Sequence, residues 1–248
     1  VLLACLPIAF QKSSPLLKSL GNIDDEDSLT RGYEFEATDA IISGDVGVRF
    51  PVEDPNGTIC LVGSSHARVL GGALLAFCQK NNLDMISMAT SDFGFSDTAK
   101  TSASQHAAYL EVHRNERLLA INPQMTVIAG MWSSEIRNPN FKNDFNDRLR
   151  LLLQKSPVLV IGQVPMVMLP LGYEKLFRKY LVACALQSGG IPNFFFNPYP
   201  SLIDKHGNIH LTEKNKFLYS DSHHLNDDGA IYIFENKLNQ VLLDLITR

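Results

Sequence analysis

From Thr58 onward, short apolar runs alternate with stretches of helical spacing. Thr58-Ile-Cys-Leu-Val62 is a mostly apolar run closed by Gly63, the pattern of a strand buried on both faces. Ala67 to Lys80 then sets Val69, Leu70, Ala73, Leu74 and Phe77 at helical intervals. The unit repeats. Met85-Ile-Ser-Met88 predicts a second strand, with a helix over residues 102–120, and Met125-Thr-Val-Ile-Ala129 a third, with its helix over 141–154. Val158-Leu-Val-Ile161 predicts a fourth strand ended near Pro165, with a helix over 173–187, and Pro192-Asn-Phe-Phe-Phe196 a fifth. A last helix, Asp228 to Ile246, carries Ile231, Phe234, Leu238, Val241, Leu242 and Leu245 on one face.

Strands alternating with helices predict an α/β fold, a three-layer α/β/α sandwich around a parallel sheet of about five strands with right-handed, flavodoxin-like crossovers. Sites in such sheets form beyond the carboxyl ends of the strands. The loops after Val62, Ala89, Ala129 and Ile161, and the late loop at 221–224, are therefore the places to look. Residues 1–56 do not share the rhythm and read as an N-terminal linker or arm, with the folded domain over 57–248. Their acidic cluster, Asp24-Asp25-Glu26-Asp27, reads as a solvated face. Val1 to Phe10 is apolar but about half the length of a membrane span. It reads as the end of a membrane segment, the remnant of a signal segment, or an element packed on the core. With Val rather than Met first, the chain reads as a fragment or a processed product.

Composition narrows the function classes. Of 248 residues, 45% are hydrophobic and 19% charged, with a net charge of -4. Such a chain folds around a real core and carries no basic footprint for nucleic acid or an anionic membrane surface. The four cysteines (Cys5, Cys60, Cys78, Cys184) show neither CxxC nor Cys/His spacing, so no zinc site, no other metal and no cofactor is read from them. Buried thiols and one or two disulfides both remain open. Asn56-Gly57-Thr58 fits a glycosylation sequon.

Two short segments can carry chemistry. The first strand ends in Gly63-Ser64-Ser65-His66-Ala67 and runs directly into a helix. A serine there sits at a helix N-terminus, where unpaired N–H groups and the dipole favour a developing oxyanion; alternatively, Ser64 or Ser65 is simply the cap. The segment lacks the glycine at position 67 that the Gly-x-Ser-x-Gly elbow requires. Far downstream lies Tyr219-Ser-Asp221-Ser-His-His224-Leu-Asn-Asp-Asp-Gly-Ala230. An Asp three residues before a His can take the Nδ1 proton and fix the tautomer, leaving the other nitrogen for a serine. His223 competes with His224 for this role. Asp227 or Asp228 reads as the cap of the last helix.

Together the two segments give the chain order Ser…Asp…His, and here the sequence resembles the SGNH-hydrolase superfamily. It looks most like the SGNH domains fused to membrane acyltransferase-3 domains, with their Gly-Asp-Ser-His-Ala and Tyr-x-Asp-x-x-His-Leu-x-x-x-Gly-Ala motifs. Leu202 to Thr212 also looks like the β-hairpin that precedes the Asp-His loop in that branch. Two positions depart from the pattern. Ser64 replaces the Asp of the first motif, and Gly130-Met131-Trp132-Ser133 lacks the Asn that donates to the oxyanion in the superfamily.

The resemblance implies Ser65 as nucleophile and the Asp221/His224 pair as its activating dyad. Gly94, Trp132 and His66 are candidates for the oxyanion and substrate pocket, and Trp132 reads equally as a packing residue. Gln163-Val-Pro165 lies at the same edge. The implied activity is acyl transfer, in particular acetyl transfer, to or from hydroxyls of a cell-envelope or secreted glycan. Water as acceptor would make the protein a carbohydrate esterase, and loss of turnover a glycan-binding domain. A membrane acyltransferase domain N-terminal to this chain is the implied partner, and an extracytoplasmic, membrane-tethered location follows from it.

Overall fold

Asp84–Ala89 and Met125–Ala129 flank Thr58–Gly63 in a computed structural model that describes residues 32–90, 113–135 except Asn115, 141–166 and 195–247. The strands are β1 (Val48–Phe50), β2 (Thr58–Gly63), β3 (Asp84–Ala89), β4 (Met125–Ala129), β5 (Val158–Ile161) and β6 (Phe195–Phe196), in the sheet order β1-β3-β2-β4-β5-β6. Every pairing from β3 to β6 is parallel, in registers such as Gly63↔Ala89 and Gly63↔Ala129. The chain leaves β2 towards β3 on one side and returns to β4 on the other. The carboxyl end of β2 therefore lies where the winding reverses, the place at which α/β sheets open a crevice.

The apolar runs divide by parity, as a sheet covered on both faces requires. Ile59, Leu61, Met85, Met125, Val127, Leu159 and Ile161 join one buried cluster with Leu74, Phe77, Leu238, Leu242 and Leu245. Cys60, Val62, Ile86, Met88, Ile128, Val158 and Val160 join another with Trp132, Phe141, Phe145 and Leu149. The helices on these faces follow the expected spans. Ser65–Arg68 (α2) and Gly71–Lys80 (α3) come after β2, and Phe141–Leu153 (α5) precedes β5. Residues 116–121 are helical; the rest of the helix expected at 102–120, the helix at 173–187 and the first three residues of the expected fifth strand lie outside the described residues, apart from His113 and Arg114, which are helical too.

Among the described residues the sheet has six strands, and the one beyond the expected five, β1, is antiparallel. Val48–Phe50 pairs along the outer edge of β3, from Val48↔Ser87 to Phe50↔Met85, and comes from the segment read as an arm. Upstream of it, Thr38–Ser43 forms a short helix (α1). Two small helices, Trp132–Glu135 (α4) and Tyr199–Leu202 (α6), follow β4 and β6. The expected hairpin appears as an Ile203↔Ile209 bridge followed by the pair β7 (Thr212–Glu213) and β8 (Lys216–Phe217). Cys60 and Cys78 are buried free thiols, and burial pushes both up to about 12; Cys5 and Cys184 lie outside the described residues, as do Val1 to Phe10.

The last helix runs as α7 (Asp227–Ile233), a π-helical stretch at Phe234–Leu238, and α8 (Asn239–Ile246). Its cap is Asn226, one residue before Asp227 and two before Asp228, the expected caps. The Asn226 side-chain oxygen accepts from the Gly229 N–H at 2.9 Å, while its amide donates to the Phe217 carbonyl at 2.8 Å. An aspartate could make only the first of these bonds, because its carboxylate has no donor. Asn226→Ala removes both and leaves a half-sheltered carbonyl unpaired, so it is expected to cost about 1–2 kcal/mol. Chemical denaturation measures this, with Asn226→Asp retaining the cap and falling between parent and Ala.

Candidate active site

Gly63 ends β2 with φ 148°, and a Cβ there would lie 1.7 Å from the Ala129 carbonyl oxygen, so only glycine lets β2 and β4 stay paired at this point. The next residue, Ser64, is extended, donates its N–H to Ala129 O at 3.2 Å and accepts the His66 N–H on its Oγ at 3.3 Å. Ser64 thus takes the capping role, as the Asp of the related motif would. Ser65 is left as the first residue of α2, where its N–H has no intrahelical acceptor.

The opposing group comes from a loop closed on itself. Tyr219 and Leu225 form an antiparallel bridge, Ser220 donates its N–H to His224 O at 3.0 Å, and Asn226 donates its N–H to Leu218 O at 3.1 Å. Leu225 is buried beneath the loop. Gly229, in the first turn of α7, lets that helix approach closely, since a Cβ there would meet Leu218 O at 2.0 Å. The Gly-Ala at the end of the motif thereby sets the helix against the loop.

Inside this loop Asp221 receives the backbone N–H groups of His223 and His224 on Oδ1, both at 2.7 Å, and contacts His224 Nδ1 with Oδ2 at 2.6 Å. His224 Nε2 lies 2.8 Å from Ser65 Oγ. The sheet end and the late loop, 159 residues apart in sequence, thus form one unbroken relay, Ser65–His224–Asp221. His223 does not take the Ser65 position. Its Nδ1 lies 3.1 Å from Ser222 Oγ and 3.2 Å from Asp221 Oδ1.

The electrostatics fit the geometry. Burial works against the Asp221 charge, but hydrogen bonds from the His224 ring and the two backbone N–H groups outweigh it and hold the carboxyl well below the usual range. Asp221 therefore stays ionised behind His224. His66 lies beneath the relay, 5% exposed, with its ring centroid 4.8 Å from that of His224. Burial, then the neighbouring His224 and His223, push it down to about 3. Between pH 6.5 and about 3 the unfolded chain binds a proton at His66 that the folded chain does not, so stability contributed above pH 6.5 is lost as pH falls. The loss runs at about 1.4 kcal/mol per pH unit for full coupling. His66→Gln is expected to flatten the acid side of a thermal-unfolding profile between pH 6 and about 4.

The other expected pocket residues divide. Gly94 lies outside the described residues. Trp132 lies in the core, the packing position that the sequence also allowed. It is fully buried, donates Nε1–H to the Ile161 carbonyl at 2.7 Å and packs edge-on to Phe145. An indole at this position can bury its ring and still satisfy its one donor. Gln163 accepts the Ser133 N–H at 2.7 Å and so tethers the loop after β5 to α4. Among the described histidines outside the loop, His113 and His210 pair with Glu116 and Glu213. The sequence reading missed Asn226 as the anchor of the loop, although Asn is among the best capping residues. It named His66 without the side-chain position beneath His224.

Residues 38–193 match the family model described as an SGNH domain fused to AT3 domains. That match stops before the Asp221–His224 loop, whose placement rests on the geometry above. No curated protein matches the sequence closely enough to count as a relative. Among solved structures, the periplasmic domain of a lipopolysaccharide acetyltransferase from Salmonella ser. Paratyphi A is similar, with a TM-score of 0.64 at 14% identity. The alignment covers 91% of this chain and 98% of that one. A family 3 carbohydrate esterase from Clostridium thermocellum aligns with a TM-score of 0.47 at 12% identity, over 76% of this chain and 98% of that one.

Proposed function

Because the chain belongs to the family of SGNH domains fused to AT3 domains, we propose that it moves an acyl group, in particular acetyl, onto hydroxyls of a cell-envelope or secreted glycan. Ser65 is the nucleophile, His224 the general base and Asp221 the group that orients and stabilises it. The observation that carries this reading is the relay itself, with 2.8 Å from Ser65 Oγ to His224 Nε2 and 2.6 Å from His224 Nδ1 to Asp221 Oδ2. Both distances lie within reach for proton transfer.

In the first half-reaction His224 Nε2 takes the Ser65 proton as Oγ attacks the acyl carbonyl. The ionised Asp221 stabilises the resulting imidazolium, and the free Ser65 N–H at the start of α2 donates to the oxyanion. The imidazolium then protonates the leaving oxygen, which departs from the acyl-Ser65 ester. In the second half-reaction His224 takes the proton of the incoming hydroxyl, that oxygen attacks the ester, and Ser65 leaves with the proton returned.

The acceptor decides between transferase and esterase. The relay lies near solvent, with the side chains of His224 and Asp221 20% and 42% exposed, so water has access whenever no sugar occupies the site. The lipopolysaccharide acetyltransferase likeness motivates the glycan acceptor, and the AT3 fusion motivates a membrane domain as acyl supplier and an extracytoplasmic location. Among the described residues no helix is long and apolar enough to cross a membrane.

The test supplies p-nitrophenyl acetate with and without an envelope-derived oligosaccharide and follows both acetate and acetylated sugar. Acetylated sugar that rises with acceptor concentration and requires Ser65 supports transfer. Acetate alone at every acceptor concentration makes the protein an esterase. Neither product, with the oligosaccharide still bound, leaves a glycan-binding domain.

A further inference from the structure

Three histidines converge beside Ser65. His66, His223 and His224 each offer a ring nitrogen, and these nitrogens all lie within 4.8 Å of one another. The ring centroids are 4.0 Å apart for His223 and His224, 4.8 Å for His66 and His224, and 5.8 Å for His66 and His223. His66 is 5% exposed, and its buried Nε2 has no hydrogen-bond partner. A buried ring nitrogen left unpaired is costly and calls for a reason, of which an ion is one.

The surroundings are those of a metal-binding imidazole group. His224 and His223 both turn Nδ1 towards the Asp221 carboxylate, at 2.6 Å and 3.2 Å, which leaves their Nε2 atoms as the coordinating positions. A carboxylate behind a ligating histidine fixes its tautomer and raises its basicity. Tetrahedral zinc with imidazole bonds of about 2.0–2.1 Å sets ligand nitrogens about 3.4 Å apart, so a trio spread within 4.8 Å must draw together around an ion. His223 can supply that movement, being 28% exposed on a short loop. Sequence spacing concealed the set because two ligands are adjacent and the third lies in the first motif.

We propose that His66, His223 and His224 form a binding site for a divalent transition-metal ion of the zinc type, and that the ion occupies His224 Nε2 in place of Ser65 and stops turnover. No bond is made or broken in Ser65; its proton stays on Oγ while the base is held by the ion. The binding half stands on the three histidines alone, and the inhibitory half rests on His224 acting as the base. Magnesium and calcium prefer oxygen ligands and are expected to leave the protein unaffected.

Equilibrium dialysis of the whole chain with zinc, run beside ester turnover, tests both halves. Zinc is expected to bind in a single equivalent, to lower turnover in proportion to occupancy, and to be reversed by a chelator. His223→Gln and His66→Gln are each expected to weaken binding by at least about tenfold. Circular dichroism confirms that each variant is folded, and His223→Gln, being partly exposed, keeps the test open if His66→Gln fails to fold. Absence of zinc binding, or equal binding by parent and folded variants, overturns the site. Zinc that binds through these histidines while turnover continues supports the site and overturns the switch, and with it the role of His224 as base.

Discussion

Ser65→Ala and His224→Ala are each expected to lower p-nitrophenyl acetate turnover by at least about a hundredfold while leaving the fold intact. Ser65 lies at the surface end of α2 and His224 in a loop held by backbone bonds of Ser220 and Asn226, so neither truncation opens the core. What each removes is one partner of the 2.8 Å contact through which the serine proton leaves. General-base assistance contributes about 10²–10⁴ in rate, and nucleophile and base act as a unit. The double variant is therefore expected to be no slower than either single one by more than a few-fold. Asp221→Asn belongs to the same series. It would retain an acceptor for the two backbone N–H groups on one oxygen but lose the charge behind His224. Its loss is expected in the same range, visible in kcat rather than KM, since Asp221 acts on the imidazolium and not on the ester.

Gly63→Ala is expected to be among the most damaging single substitutions outside the relay. The added Cβ would lie 1.7 Å from Ala129 O and 2.9 Å from the Ala67 Cβ, and the φ of 148° is one that L side chains rarely adopt. Backbone cannot yield as a flexible side chain can. Either β2 and β4 separate where their ladder ends, or Ser64 loses its 3.2 Å bond to Ala129 O. Overpacking and left-handed strain together set a cost of about 3 kcal/mol or more. Any folded fraction carries a displaced Ser65 and turns over more slowly. Gly72→Ala is the control: nothing lies within 4 Å of a Cβ at that helical position, so stability is expected to hold or rise by about 0.5 kcal/mol. Denaturation midpoints of the three proteins measure the contrast.

The central strands were legible because each is a short apolar run bounded by Gly, Pro or a polar step, and β4 and β5 match the expected residues end to end. The edge strand β1 was not, since three residues with an exposed Arg49 between two half-buried neighbours carry almost no periodic signal. Asp221 and His224 could be paired from sequence because they share one loop and one turn of spacing. Ser65 was assigned over Ser64 by its place in the first motif; the separate parts the two play, one serine capping the helix and the other reaching His224, appear only in the folded turn. Trp132 could not be assigned from its neighbours. Whether an indole faces a pocket or the core depends on a carbonyl, here Ile161 O, contributed by a strand 29 residues away. The His66–His224 contact was hidden for the same reason, as it exists only once α2 docks under the late loop.

The central claim is a covalent acyl intermediate on Ser65, and peptide mass mapping after rapid acid quench during turnover of an activated acetyl ester reads it directly. One acetyl increment is expected on the peptide that contains Ser65, strengthened in Asp221→Asn if deacylation slows more than acylation, and absent from Ser65→Ala. An acetyl group found on another residue, or turnover that continues in Ser65→Ala at the parent rate, would contradict it.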